Sequence, residues 1–203
     1  MLESLLAFMG ATVLLALSPG PDNIYVLTQS IVNGSKSGLA TTAGLITGCI
    51  LHTTLIAFGV SALLVASPQL FFGIKVLGAA YLLFLAYKVF KSDGNITLSE
   101  EVEKKSYTAL FKQGVIMNIL NPKVMIFFLA FFPAFLWEPE GNTVMQFYIL
   151  GATFMVTSFI VFGAIAFLAG WISTFVKKEA GIGKVFKWLQ IVVFVGIAVY
   201  ILV

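Results

Sequence analysis

Apolar residues in this chain run in blocks about as long as a bilayer is thick, without the short-range alternation of a half-buried strand. Six such stretches fall at about 4–32, 38–65, 69–90, 109–135, 144–170 and 185–203. A hydrocarbon core of roughly 30 Å takes about 20 helical residues, so each stretch predicts one transmembrane helix. Ser18-Pro19-Gly20-Pro21-Asp22 interrupts the first, and Asn121-Pro122-Lys123 the fourth, splitting each into two half-helices; the other four read as continuous. The expected fold is an all-α membrane protein of six transmembrane helices with helices 1 and 4 broken by Pro motifs. Only Ser92 to Ser106 has polar bulk, with Asp93, Glu100, Glu101, Glu103, Lys104 and Lys105, and reads as a solvated loop. Within it Asn95-Ile96-Thr97 matches a glycosylation acceptor, a pattern too short to carry weight.

Composition agrees with the spans. Of 203 residues 60% are hydrophobic and 10% charged, against about a quarter charged in a soluble domain. The net charge of +3 comes from 12 lysines without arginine, in runs of at most two, which argues against nucleic acid as a partner. Cys49 is the sole cysteine, so no intramolecular disulfide or thiolate zinc site forms, and neither metal nor cofactor is expected. With Glu3 as the first charge and no basic leader, no removable signal peptide is read. Lysine placement sets orientation. Lys36, then Lys88, Lys91, Lys104, Lys105 and Lys112, then Lys177, Lys178, Lys184 and Lys187 fall after helices one, three and five, and the opposite side has none. Those connections are predicted cytoplasmic and both termini extracytoplasmic. Trp137, Trp171 and Trp188 fall near span ends, as interfacial aromatics do.

Three ionisable groups lie inside spans: Asp22, Lys75 and Lys123. On insertion scales such a group costs at least ~2.5 kcal/mol, which marks it as a functional candidate. For Lys75, near the outer end of its helix, snorkelling is the alternative; for Lys123 it is a salt bridge to Asp22 that serves packing. His52, deep in helix two, reads either as a proton relay or as a neutral ring bonded to a backbone carbonyl. Gln29, Asn118 and Thr53-Thr54 are expected as interhelical hydrogen-bond partners, and Ala40, Gly44, Gly48, Gly59, Gly78, Gly151 and Gly163 as close-packing positions.

The chain repeats itself weakly. Leu17-Ser18-Pro19 recurs as Leu120-Asn121-Pro122, Thr53-Thr54 as Thr157-Ser158, and Phe58-Gly59 as Phe162-Gly163. Three helices per half place the halves in opposite orientations, a 3+3 inverted repeat with repeat 1 at 1–91, a cytoplasmic loop at 92–107 and repeat 2 at 108–203, within one transmembrane domain. Both breaks have the same apparent grammar: Ser18 or Asn121 as helix N-cap, and the next proline at the first helical position. A helix restarting inside the membrane presents free N–H groups and a positive dipole end, which favour an anion.

Four segments together resemble the LysE/RhtB amino-acid exporters: Ser18-Pro-Gly-Pro-Asp22, the Gly38, Gly44, Gly48 series, Lys75-Val-Leu-Gly-Ala-Ala-Tyr-Leu82 and Asn118-Ile-Leu-Asn-Pro-Lys123. The resemblance implies a multi-pass, inner-membrane secondary transporter that exports amino acids, neutral or basic, such as threonine, homoserine, leucine or lysine, by proton antiport. A zwitterion needs a cationic seat and an anionic one. The expected substrate site is therefore Ser18, Pro19, Gly20, Pro21, Asp22, Asn121, Pro122 and Lys123, with Lys75 completing or gating its outer side and Asp22 or His52 carrying the proton. The expected partners are the amino acid, protons and lipid, and a homodimer is compatible with the sequence. The competing classes are a metal-ion or other small-solute exporter or channel, and an intramembrane enzyme. Both are short of groups: the metal reading has Asp22, Cys49 and His52 at most, and the enzyme reading only a Ser-Lys pair such as Ser18 with Lys75 or Lys123, which no motif supports.

Overall fold

The computed structural model describes residues 1–18, 20–93, 103–178 and 182–202. Pro19, the Asn95-Ile96-Thr97 motif, Glu100 and Glu101 lie outside the described residues. Among the described residues every regular element is a helix. Span one is α1 (Leu2–Leu17) and α2 (Pro21–Asn33), bent by 62° at the break. Span two is α3 (Ser35–Leu55), a widened π turn over Ile56–Val60 and α4 (Ser61–Ala66), and span three is α5 (Pro68–Lys91). Span four is α6 (Tyr107–Leu120) and α7 (Pro122–Ile126), and the stretch from Pro122 to Phe135 is bent by 53° from α6. Span five is α8 (Thr143–Phe167), and span six is α10 (Ile182–Leu202).

Three helices start on caps legible in the sequence. Ser67 accepts from Leu70 N–H with Pro68 at the first turn, Ser106 from Ala109 N–H, and Asn142 from Met145 N–H. Two departures from the expected spans have physical causes. The fifth helix ends at Phe167 instead of near 170, and a separate amphipathic helix, α9 (Ala169–Lys178), follows and packs on α2. Beyond α7, span four is not regular α-helix: it widens into a π turn at Phe127–Phe131 and tightens into a 3-10 turn at Phe132–Phe135. Pro133 explains this, because its ring would clash with a carbonyl one turn back and it offers no N–H to an α ladder.

Spans two and five form the centre. In their most apolar stretches 50% and 44% of residues are buried inside the protein, against 22% and 28% for spans three and six, which are the more exposed. α3 packs along α6 and α8, α8 along α1, and α10 along α5. Exchanging the two halves of the chain maps the α3–α6 contact onto α8–α1 and keeps the α3–α8 and α5–α10 pairings. The α3–α6 crossing is backbone against backbone: a Cβ on Gly44 would overlap the Phe111 carbonyl, and one on Gly114 the Thr41 carbonyl. Gly48 likewise leaves room for Asn118, whose Oδ1 would lie 2.7 Å from an added Cβ. At Gly59, by contrast, an added Cβ would meet nothing within 4 Å among the described residues, so the close contact expected there is not made.

One half of the bundle is closed by phenylalanine. Phe8, Phe127, Phe128, Phe131, Phe132 and Phe135 are buried and in ring contact, with Phe8 edge-on to Phe132 at 4.8 Å and Phe128 stacked on Phe132 at 4.1 Å. The half beyond the breaks is polar, with Gln29, Ser30, Ser37, Thr41 and Thr42 all buried. Gln29 is not the interhelical partner expected: its Oε1 accepts from Asn33 Nδ2 one turn along the same helix, at 3.0 Å. Thr54 does reach across, accepting from Tyr148 Oη at 3.4 Å, while Thr53 packs against Gly151 with its hydroxyl unpartnered.

Candidate functional site at the helix breaks

The two breaks are joined by one side chain. Asn121 is the N-cap of α7, its Oδ1 accepting from Lys123 N–H at 3.0 Å, and its Nδ2 donates to Asp22 Oδ2 at 2.9 Å. The second break therefore follows the expected grammar. The first does not. Ser18 is the C-cap of α1, its backbone N–H bonded to Leu14 and Leu15 carbonyls, and α2 starts behind Gly20 with Pro21 in the first turn. Both X-Pro pairs in this motif suit a cap and first helical position, and the second one is used. The Ser18 hydroxyl is buried and has no hydrogen-bond partner among the described residues. Asn23 completes the break by donating its Nδ2 to the Ala16 carbonyl, one of those left open at the end of α1.

Around the Asp22–Asn121 bond lies a cavity of about 40 Å³, room for a few water molecules. Span one contributes Leu15, Ala16, Gly20, Pro21, Asp22 and Asn23, and α3 contributes Leu45, Ile46 and Cys49. Span four adds Asn118, Asn121, Lys123 and Val124, and α8 adds Phe154, Ser158 and Phe162. Asp22 is 9% exposed, and its second oxygen, Oδ1, is buried without a partner. Lys123 Nζ lies over the Phe194 ring, 5.0 Å from its centre, and beside Gly20, 3.5 Å from where a Cβ would stand there. Among the described residues it forms no ion pair with Asp22 within 4 Å, so the packing salt bridge considered for this pair is not made.

Of the residues expected at the site, Gly20, Pro21, Asp22, Asn121 and Lys123 come together. Ser18 is buried but does not line the cavity, Pro122 faces outward, and Pro19 lies outside the described residues. Lys75 is half-buried on α5 and does not line the cavity. His52 stands one shell away: its ring contacts Phe128, and Nε2 lies 3.2 Å from the Asn118 backbone carbonyl. Asn118 is an interhelical partner as expected, its Nδ2 donating to Cys49 Sγ at 3.5 Å. Asn23, Phe154, Ser158 and Phe162 were not singled out; the only sequence signal touching any of them is the repeat, which pairs Ser158 with Thr54 and Phe162 with Phe58.

A small, largely apolar cavity that holds a buried carboxylate and a lysine between two broken helices fits a membrane carrier of the broken-helix class. The chain belongs to the LysE type translocator family, matching it over residues 13–203. It is 35% identical over 171 residues to the homoserine/homoserine lactone efflux protein of Salmonella typhimurium, covering 84% of this chain and 82% of that relative. The protein of the same name from Salmonella typhi is 36% identical over the same shares. No solved structure matches the chain.

Proposed function

We propose that the protein exports small neutral amino acids from the cytoplasm across the inner membrane, in exchange for protons. The observation that carries this reading is a pair of opposite charges lining one cavity at the breaks without an ion pair between them: Asp22, whose Oδ1 has no partner among the described residues, and Lys123, whose Nζ rests on the Phe194 ring. A zwitterion set between them satisfies both, its ammonium on Asp22 and its carboxylate on Lys123. A basic amino acid would bring a second cation, and the cavity lining holds no second carboxylate for it. The names of the two Salmonella relatives point the same way. The cavity is too small for an amino acid as it stands, so its walls part to admit one.

Asp22 is the proton carrier in this scheme, since it lines the cavity and is bare once substrate leaves; His52 is the second candidate, linked to the cavity through Asn118. Lys75 acts outside the seat, on the outer part of span three. The lysine distribution supports cytoplasmic connections after spans one, three and five, with both termini outside. The exchange symmetry of the helix pairings supports inverted halves at 1–91 and 108–203.

The test is an efflux screen in cells loaded with dipeptides of the common amino acids, comparing the natural protein with Lys123→Met and Asp22→Asn at matched membrane levels. Both variants lose export at least tenfold, the cost of about 1.5–3 kcal/mol for a charged hydrogen bond. Wild-type export by either variant overturns the site. Efflux from proteoliposomes that ignores an imposed pH gradient overturns antiport.

A further inference from the structure

We infer that Ser158 reads the substrate's side chain, and that the preferred side chain carries a hydroxyl; this rests on the export reading above and extends it to specificity. Phe154, Ser158 and Phe162 follow one another at single-turn spacing on α8, so one face of this helix lines the cavity. That face belongs to a different span from both charged groups.

Of the buried hydroxyls left without a partner among the described residues, those of Ser18, Thr42, Thr53 and Ser158, that of Ser158 alone belongs to the cavity lining. Ser30 donates to the Val26 carbonyl at 2.7 Å, Thr41 to Ser37 at 3.1 Å and Thr153 to Ile149 at 2.8 Å, each spending its hydroxyl one turn back. Ser158 is 1% exposed, and among the described residues its Oγ makes no such bond and no other. A buried hydroxyl without a partner is costly, and a site that pairs it only when loaded gives a reason for it.

The remaining polar lining groups are already engaged. Asn23 holds Ala16, Asn121 holds Asp22 and the Lys123 N–H, and Asn118 holds Cys49. Asp22 Oδ1 and Lys123 Nζ match the two charged ends that every amino acid shares, and so cannot distinguish one from another. Ser158, flanked by two phenylalanines, is left for the part that varies. Apolar walls alone discriminate weakly against an added hydroxyl, whereas a site with its own hydrogen-bonding group rejects a substrate that leaves that group unpaired.

The experiment compares homoserine with 2-aminobutyrate, the same carbon chain without the hydroxyl, in proteoliposomes of the full-length protein. The natural protein prefers homoserine by at least about tenfold. Ser158→Ala brings the ratio close to one while 2-aminobutyrate transport continues, and Ser158→Thr keeps the preference. A second readout does not depend on transport: homoserine raises the unfolding temperature of the protein in detergent, and 2-aminobutyrate raises it less. In Ser158→Ala the two raise it equally. An unchanged ratio in Ser158→Ala, equal loss of both substrates, or no preference in the natural protein each overturns the assignment. Failure of the export reading itself shows differently, as no amino-acid transport by the natural protein at all.

Discussion

At the break in span four the chain caps its own restart: Asn121 accepts from Lys123 N–H and donates across the bundle to Asp22. At the break in span one the equivalent Ser18 hydroxyl has no partner among the described residues, the new helix waits for Gly20 and Pro21, and Asn23 reaches back to hold Ala16. Similar sequence thus gives two constructions. The capped break is satisfied within itself and serves as the scaffold, whereas the uncapped one leaves Asp22 with a bare oxygen facing other spans. A site that must bind and release needs both: a fixed edge that positions the carboxylate and an edge whose bonding capacity is unspent.

The sharpest way to break this comparison is Asn121→Ala, which removes a cap and the partner of a buried carboxylate together. It lowers stability by about 2 kcal/mol or more, measured by thermal unfolding in detergent, and lowers export at least tenfold. Ser18→Ala, the equivalent change at the other break, stays within about 0.5 kcal/mol of the natural protein; equal losses would mean that the breaks are built alike. Asn121→Ser separates the two jobs of Asn121. It keeps an oxygen for the Lys123 N–H but cannot donate an amide to Asp22, so it recovers only the cap's share, about 1 kcal/mol, of the Asn121→Ala loss, while export still drops. Next in size, Asn23→Ala opens the Ala16 carbonyl and costs about 1 kcal/mol, read by the same melts. The smallest effect is Gly20→Ala. Its backbone is extended, at φ −164°, and the new Cβ would stand 3.5 Å from Lys123 Nζ, so unfolding shifts by less than about 0.5 kcal/mol and any change appears in transport.

The positions of the spans, the two breaks and the close packing at Gly44 and Gly48 were legible because each depends on local rules: apolar length, Pro punctuation and the absence of a side chain. The partner of those glycines, α6 with Gly114, was not. The start of α2 was not legible, since Ser18-Pro19 and Gly20-Pro21 offer equally good helix starts and only packing chooses between them. α9 was hidden because Leu168, Ala169 and Trp171 prolong the apolar run of span five past its true end. Deformation of Phe127–Phe135 follows from Pro133 in a phenylalanine-rich run, and hydropathy is blind to it. At the site, charge marked Asp22 and Lys123, since ionisable groups stand out in an apolar chain, but the same signal also marked Lys75, away from the cavity. Ser158 carries no charge and sits in no motif. Its claim rests on a missing bond, which only three-dimensional neighbours reveal.

The glycine-lined crossing of α3 and α6 has a mechanical consequence. These helices come from opposite halves of the chain, and their backbones touch at Gly44 and Gly114, leaving no cushion of side chains to slide on. Any motion that opens the cavity must carry them together, as one rigid strut. On the proposed transport reading, the bodies expected to move against each other are groups of helices drawn from both sequence halves, with the strut fixed inside one of them.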